Sequence, residues 1–178
     1  MTKTTIFIIT IFIVLLISSG YAYWKSTAAI NKVHIYMNKV DLSLYAHRGV
    51  VVLEPSNKTA ITGGAIARID KRFREGKRLV ALAHYQNLLQ EDPNNMELLL
   101  RIGLIYLQEK EYSLAQENLD LVYGFKESVF ALDAAWFLAL LNAEYGNWNR
   151  TKQLLKEVID ERGNYHLSAQ DLWTDLEA

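Results

Sequence analysis

The chain has no cysteine among its 178 residues. That absence excludes disulfides, thiolate metal sites and a cysteine nucleophile. It also excludes a bacterial lipid anchor, which needs a cysteine to acylate. It fits either redox compartment and so does not locate the protein. Proline is scarce too: Pro55 and Pro93 are the only two, and both read as breaks. Nor is there a large excess of one charge, the formal net charge being -1. Within that balance residues 1–62 hold six basic and two acidic groups, or +4, and residues 63–178 hold thirteen basic and eighteen acidic groups, or -5. A mildly acidic body is a poor general polyanion binder, and no nucleic-acid partner is expected.

Arrangements that carry chemistry are equally scarce. His34, His47, His84 and His166 are scattered, with no second histidine or carboxylate at ligand spacing on one helix face. No serine sits in a nucleophile elbow, and Gly63-Gly64 lacks the lysine and glycine spacing of a phosphate loop. Glu91-Asp92 and Asp160-Glu161 are adjacent acids that face different directions, so they read as solvated charges rather than an acid–base pair. Trp136 and Trp148 read as core. Asn57-Lys58-Thr59 and Asn149-Arg150-Thr151 match the glycosylation pattern, which matters only in a eukaryotic secretory setting. The expectation is no enzyme, no metal, no cofactor and no small-molecule substrate.

What is present begins at the N-terminus. Ile6 to Trp24 is nineteen residues with no ionisable side chain except tyrosines. At 1.5 Å per residue it spans roughly 28 Å, about one hydrocarbon core. Ile6, Phe12 and Leu16 fall in the apolar run; Tyr23 and Trp24, with Tyr21, close it where an aromatic belt lies at the headgroups. Residues 1–25 are therefore expected to be a single transmembrane anchor. The alternative is a cleaved signal peptide, since Ile6 to Ile17 has the right length and Gly20-Tyr21-Ala22 is an acceptable cleavage site, leaving a soluble exported protein. Lys25, Lys32 and Lys39 on the far side of the run favour a cytoplasmic body by the positive-inside rule, and the signal-like N-terminus favours an exported, periplasmic one. Export is the reading preferred.

Residues 26–61 are less regular. Ile30, Val33, Met37, Val40 and Leu44 follow a helical stripe, whereas Val50-Val51-Val52-Leu53 is β-branched, and Gly49 and Pro55-Ser56-Asn57 are breakers. A helix to about Tyr45 followed by an extended piece is expected, packed on the rest because segments this apolar are seldom left in water.

From residue 62 to 178 the pattern is helical and periodic. Ala81, Tyr85 and Leu88 share one face of a helix that Gly76 precedes and Asp92-Pro93 ends. Arg78, Ala81, Tyr85 and Leu88 return 34 residues later as Tyr112, Ala115, Leu119 and Val122. They return 36 residues on again as Trp148, Thr151, Leu155 and Val158. Helices are predicted over 65–74, 78–91, 96–108, 112–124, 130–145, 148–162 and 166–176, with Gly146-Asn147 and Gly163-Asn164 as stops. The last, with Leu167, Leu172, Trp173 and Leu176 amid acids, reads as a half-polar cap.

These residues resemble the tetratricopeptide repeat family over about residues 63–165. The middle repeat matches best, with the large-small pair Ile102-Gly103, then Tyr106, and Tyr112, Ala115, Leu119 and Val122 on its second helix. The first repeat departs on its first helix, where Arg68 and Arg72 replace large apolar residues. The third has Thr151 for the usual alanine and Gly163 for the usual proline. The resemblance implies an all-α, right-handed solenoid of three helix pairs plus a capping helix. With the N-terminal segment, it is similar to membrane-anchored repeat proteins of bacterial envelopes, which act as protein–protein interaction scaffolds or assembly subunits.

The family's ligand surface is the concave face of the first helices. Carried over, it selects Ile66, Asp70 and Phe73, then Glu97, Leu100, Arg101, Leu104 and Gln108, then Asp133, Trp136, Phe137, Leu140 and Glu144. Ile66, Phe73, Leu100, Arg101, Leu104, Trp136, Phe137 and Leu140 form the expected partner-binding groove. The lysine–asparagine clamp of members that hold a peptide carboxylate is absent. An apolar groove needs a cover, and three are open: a protein partner, a second copy, or the chain's own segment 30–54. Finally, Arg68, Lys71, Arg72, Arg74, Lys77 and Arg78 put six basic groups in eleven residues. They read as a solvated face paired with Asp70 and Glu75, or as a contact for anionic headgroups.

Overall fold

The computed structural model describes residues 3–40, 42 and 57–177, with the side chains of 3–6, 22–26 and 57–63 outside that description. Among the described residues there are eight helices and no strand: α1 (Lys3–Asn38), α2 (Asn57–Arg74), α3 (Arg78–Glu91), α4 (Met96–Gln108), α5 (Tyr112–Gly124), α6 (Ala131–Glu144), α7 (Trp148–Asp160) and α8 (His166–Glu177). The fold is all-α.

Helices α2 to α8 touch in chain order, each against the next. Connections of three to six residues leave consecutive helices no choice but to fold back on one another. The result is a one-dimensional stack, an α-solenoid in the general sense. The turns inside the three helix pairs are the same object. After α2, Gly76 takes a left-handed backbone (φ 78°), its N–H donates to the Phe73 carbonyl, and Lys77 N–H donates to Arg72. After α4 and α6 the pattern recurs at Lys110 (φ 63°) and Gly146 (φ 72°). This is the Schellman closure, which satisfies carbonyls a helix end leaves open. Positions 76, 110 and 146 repeat at the spacing of the apolar pattern. A fourth such turn follows α7, where Arg162 (φ 51°) is the left-handed residue. Gly163, expected as that stop, serves close packing instead: a Cβ there would lie 3.2 Å from the Leu132 Cβ.

The repeated side chains are core. Ala81, Ala115 and Thr151 are fully buried, as are Tyr85, Leu119 and Leu155. Thr151 is tolerated because its hydroxyl donates to the Ala139 and Asn147 carbonyls at 3.3 and 3.2 Å. Gly103 brings α4 against α5, since a Cβ there would sit 3.0 Å from Leu119 Cγ. Asn95 caps α4 by accepting from Leu98 N–H at 3.1 Å, which completes the stop begun at Pro93.

Two boundaries differ from expectation. α1 ends at Asn38 rather than near Tyr45, and α2 opens at Asn57 rather than Ala65. The adjacent Gly63 and Gly64 lower intrinsic propensity, yet the helix runs through them. Tyr45 and the expected extended piece at 50–53 lie outside the described residues.

Candidate functional site

The expected groove residues are brought together, but not as an open groove. Ile66, Phe73, Leu100, Leu104, Trp136, Phe137 and Leu140 are all buried, and so is the Arg101 guanidinium. The cover is the chain itself. The C-terminal half of α1 lies against α8, α6 and α4. Ala29, Val33 and Met37 are buried at four-residue spacing on its inner side, and Val33 and Met37, with Val40 and Leu42 just past its end, join the common core. Of the three covers left open by the sequence, this structure holds the internal one. Leu104 and Leu140 are therefore core positions, and an acid at either would test folding rather than binding.

Polar contacts rim the docked half. Lys32 bridges Asp171 at 3.0 Å and also Asp175, both on α8. The Tyr36 hydroxyl donates to Asp171 at 2.7 Å, and its ring meets Trp136 edge-on at 5.2 Å. Trp136 in turn stacks on Tyr165 at 5.5 Å, a packing role and not an exposed one. His34 pairs with Glu144 at the end of α6 at 2.7 Å. The hydrogen bond from Tyr36, then that from Lys32, hold the Asp171 carboxyl below its ordinary pKa. Hydrogen bonding to Asp175 leads the contributions that raise Lys32.

At its far end this contact meets a buried charge cluster. Arg101 donates through Nη1 to Asp70 Oδ1 at 2.5 Å and to the Leu42 carbonyl at 3.2 Å. Nε and Nη2 donate to Glu97 Oε1 at 3.2 and 2.8 Å. The Tyr85 hydroxyl donates to the same Asp70 oxygen, and its ring lies under the guanidinium. Burial works against the Arg101 charge, but Tyr85, Asp70 and Glu97 outweigh it, so its pKa stays raised. Burial is the main reason the Tyr85 hydroxyl is held far above the phenol range and remains a donor. Asp70 Oδ2 is buried without a partner among the described residues. The cluster ties α2, α3, α4 and Leu42 into one node. The sequence reading gave Asp70 both a place on the concave face and a pairing with the basic run of α2; the structure turns it inward, to Arg101 and Tyr85. What the sequence reading missed was the pairing: an acid and an arginine on an otherwise apolar face, with Tyr85 at a repeat position, meet each other.

The remaining candidates are dispersed. Among the described residues no group of histidines and acids is placed to hold a metal ion. His84, Glu91, Asp92, Asp160 and Glu161 are exposed. His166 Nδ1 meets the Gly163 carbonyl at 3.0 Å, a turn contact, and His47 lies outside the described residues. Asp133 is buried and accepts both contacts from Asn164 Nδ2, at 2.7 and 2.9 Å.

The N-terminal half of α1 is different in kind. Phe12 and Leu16 are exposed, as is every other large apolar side chain from Phe7 to Ile17. The side chains of Ile6, Tyr23 and Trp24 lie outside the described ones. Among the described residues no helix is long and apolar enough to cross a membrane; the side chains of this run are described from Phe7 to Tyr21. Compared with known proteins, the chain matches no protein-family model, no curated protein and no solved structure.

Proposed function

We propose that the protein is a membrane-held helical-repeat scaffold or assembly subunit, with the N-terminal half of α1 as its single-pass anchor and the α2–α8 stack as a protein-binding body. The observation that carries this is the bare apolar segment Phe7 to Ile17, exposed around the whole circumference of its helix. A helix apolar all round is stable only in an apolar surrounding. The full sequence extends the run to nineteen residues, 6–24, ending in Tyr23 and Trp24. That length matches a hydrocarbon core. The three like turns and the register of Ala81, Ala115 and Thr151 support the tetratricopeptide-like reading of the stack, and that reading brings with it a right-handed solenoid. Export of the body remains the preferred orientation. Confinement to a membrane raises the effective concentration of the stack toward membrane partners. Because α1 covers the face such repeats commonly use, partners are to be sought on the remaining surface.

The competing proposal, a soluble exported protein, requires cleavage near Ala22. It leaves the docked residues 29–42 in place, so the fold alone does not separate the two. Mass spectrometry of the mature N-terminus does. An intact N-terminal segment, with flotation on neutral phosphatidylcholine vesicles, supports the anchor; a mature chain starting near residue 23 removes it.

A further inference from the structure

Along α1 the stack is met in a fixed order. Lys32 reaches α8, His34 reaches α6, Tyr36 reaches both, and Leu42 is held by Arg101 of α4 and so lies beside Asp70 of α2. The α8 end is therefore nearest the apolar half, and α2 is farthest from it. From Trp24 to Asn38 the helix is unbroken and rises roughly 21 Å. Leu42, which meets the Arg101–Asp70 pair, comes after the end of that helix.

Among the described residues the outer face of α2 carries cations without ion-pair partners. Arg68, Lys71 and Arg72, at helical spacing, share one face, and Arg74 follows one turn after Lys71; all four are exposed. Among the described residues no ion pair reaches any of them. Asp70, the acid between them, is turned inward to Arg101 and Tyr85. Glu75 bonds Lys77, which first lowers its pKa, and it feels Lys71 and Arg72 only through space. Cations at a helix C-terminus are expected where they complement the dipole, an effect of about 0.3–1 kcal/mol. Arg68 lies outside that last turn, and one cation would serve. Phe73, the aromatic within the run, is buried, so nothing there stacks on a base.

We propose that this face of α2 is the docking surface for an acidic segment of a partner protein, presented away from the bilayer that holds α1. The proposal rests on the anchor reading only in placing the anchoring lipid out of reach. It replaces the headgroup contact that the basic run alone suggested.

The test uses the full chain in neutral nanodiscs with a fluorescein-labelled polyglutamate peptide as probe. The variant Arg68→Gln/Lys71→Gln/Arg72→Gln is compared with Lys126→Gln/Lys152→Gln/Lys156→Gln, which removes the same charge elsewhere. Binding about tenfold weaker in the first variant alone is expected, the sum of three exposed ion pairs of ordinary strength. Equal weakening in both, or none in either, overturns the proposal. So does a loss, in the α2 variant, of binding to phosphatidylserine vesicles or to single-stranded RNA in place of the peptide. Flotation on neutral vesicles reads the anchor separately. If flotation fails, the same peptide measurement on the full chain and both variants in detergent still decides whether α2 binds an acidic segment.

Discussion

The two halves of α1 are one helix with opposite fates. From Phe7 to Ile17 every large apolar side chain is exposed. From Ala29 to Val40 the apolar residues at 29, 33, 37 and 40 are buried, while Ala28, Asn31, His34, Ile35 and Asn38 face out. Both the amount of hydrophobicity and its distribution separate the halves: residues 7–17 hold one polar residue, Thr10, whereas 29–40 interleave Asn31, Lys32, His34, Asn38 and Lys39 with the apolar stripe. A stripe with the helical period can be satisfied by one neighbouring surface, and the α4–α6–α8 face supplies it. A helix apolar on all sides cannot, and needs a solvent that is itself apolar. The same contrast applies to charge: Lys32 and His34 find partners on the stack, whereas the apolar half carries no ionisable group but tyrosine.

Changes can break this contrast at its ends. The largest effect is expected at Arg101, which closes the docked half onto the stack. Arg101→Ala leaves Asp70 as an unpaired buried acid and Leu42 without its donor, a loss of about 3–5 kcal/mol in chemical unfolding. Next, one acid placed in each half separates them. Val33→Asp should free residues 29–42 to proteolysis and expose Trp136 to quenchers. Its cost is about 2–4 kcal/mol, since the helix can leave rather than bury the charge. Val14→Asp should leave unfolding of the stack unchanged and weaken membrane insertion, at about 2.5–3.5 kcal/mol for a charge at the centre of a span. If the two variants have the same phenotype, the division of α1 is wrong.

A gentler way to release the docked half is pH. The folded pKa of Asp171 is depressed, so its contribution is present above the ordinary aspartate value near 3.9 and is lost as pH falls through the lower folded value. Lys32 is raised, so its share is full below about pH 10.4 and is lost as pH rises through the folded pKa. The Asp171 share of docking should be lost below about pH 4, read by Trp136 fluorescence. Asp171→Asn should blunt the acid limb. The smallest effect touches neither half: Lys110→Gly relieves a left-handed lysine where Gly76 and Gly146 occupy the matching turns. A gain of about 0.5–1 kcal/mol in unfolding is expected, with vesicle binding unchanged.

Local signals made much of this fold legible. The helices α3, α4 and α5 begin and end where Gly76, Pro93, Asn95 and the apolar period place them. The start of α2 was hidden behind Gly63-Gly64, whose low helix propensity reads as a boundary although the helix runs through them. The candidate site was legible as a set of positions but not as a state. Periodicity identified Leu104, Trp136 and Leu140 as one face. It could not say that residues 29–42 would return across more than fifty residues of chain to cover that face. Nor could it show that Asp70 and Arg101 would meet there, since a buried pair depends on register between helices rather than on spacing within one.

Single-cysteine scanning of α1 tests the division most directly, and the absence of native cysteine makes every label unambiguous. The full chain in phosphatidylcholine vesicles is treated with a membrane-impermeant maleimide at each position from 7 to 40. Uniform protection through residues 7–17 is predicted, then alternation with the helical period, with 29, 33, 37 and 40 protected and 28, 31, 35 and 38 labelled. A helical period that continues through 7–17, or free labelling at 33 and 37, would contradict the account.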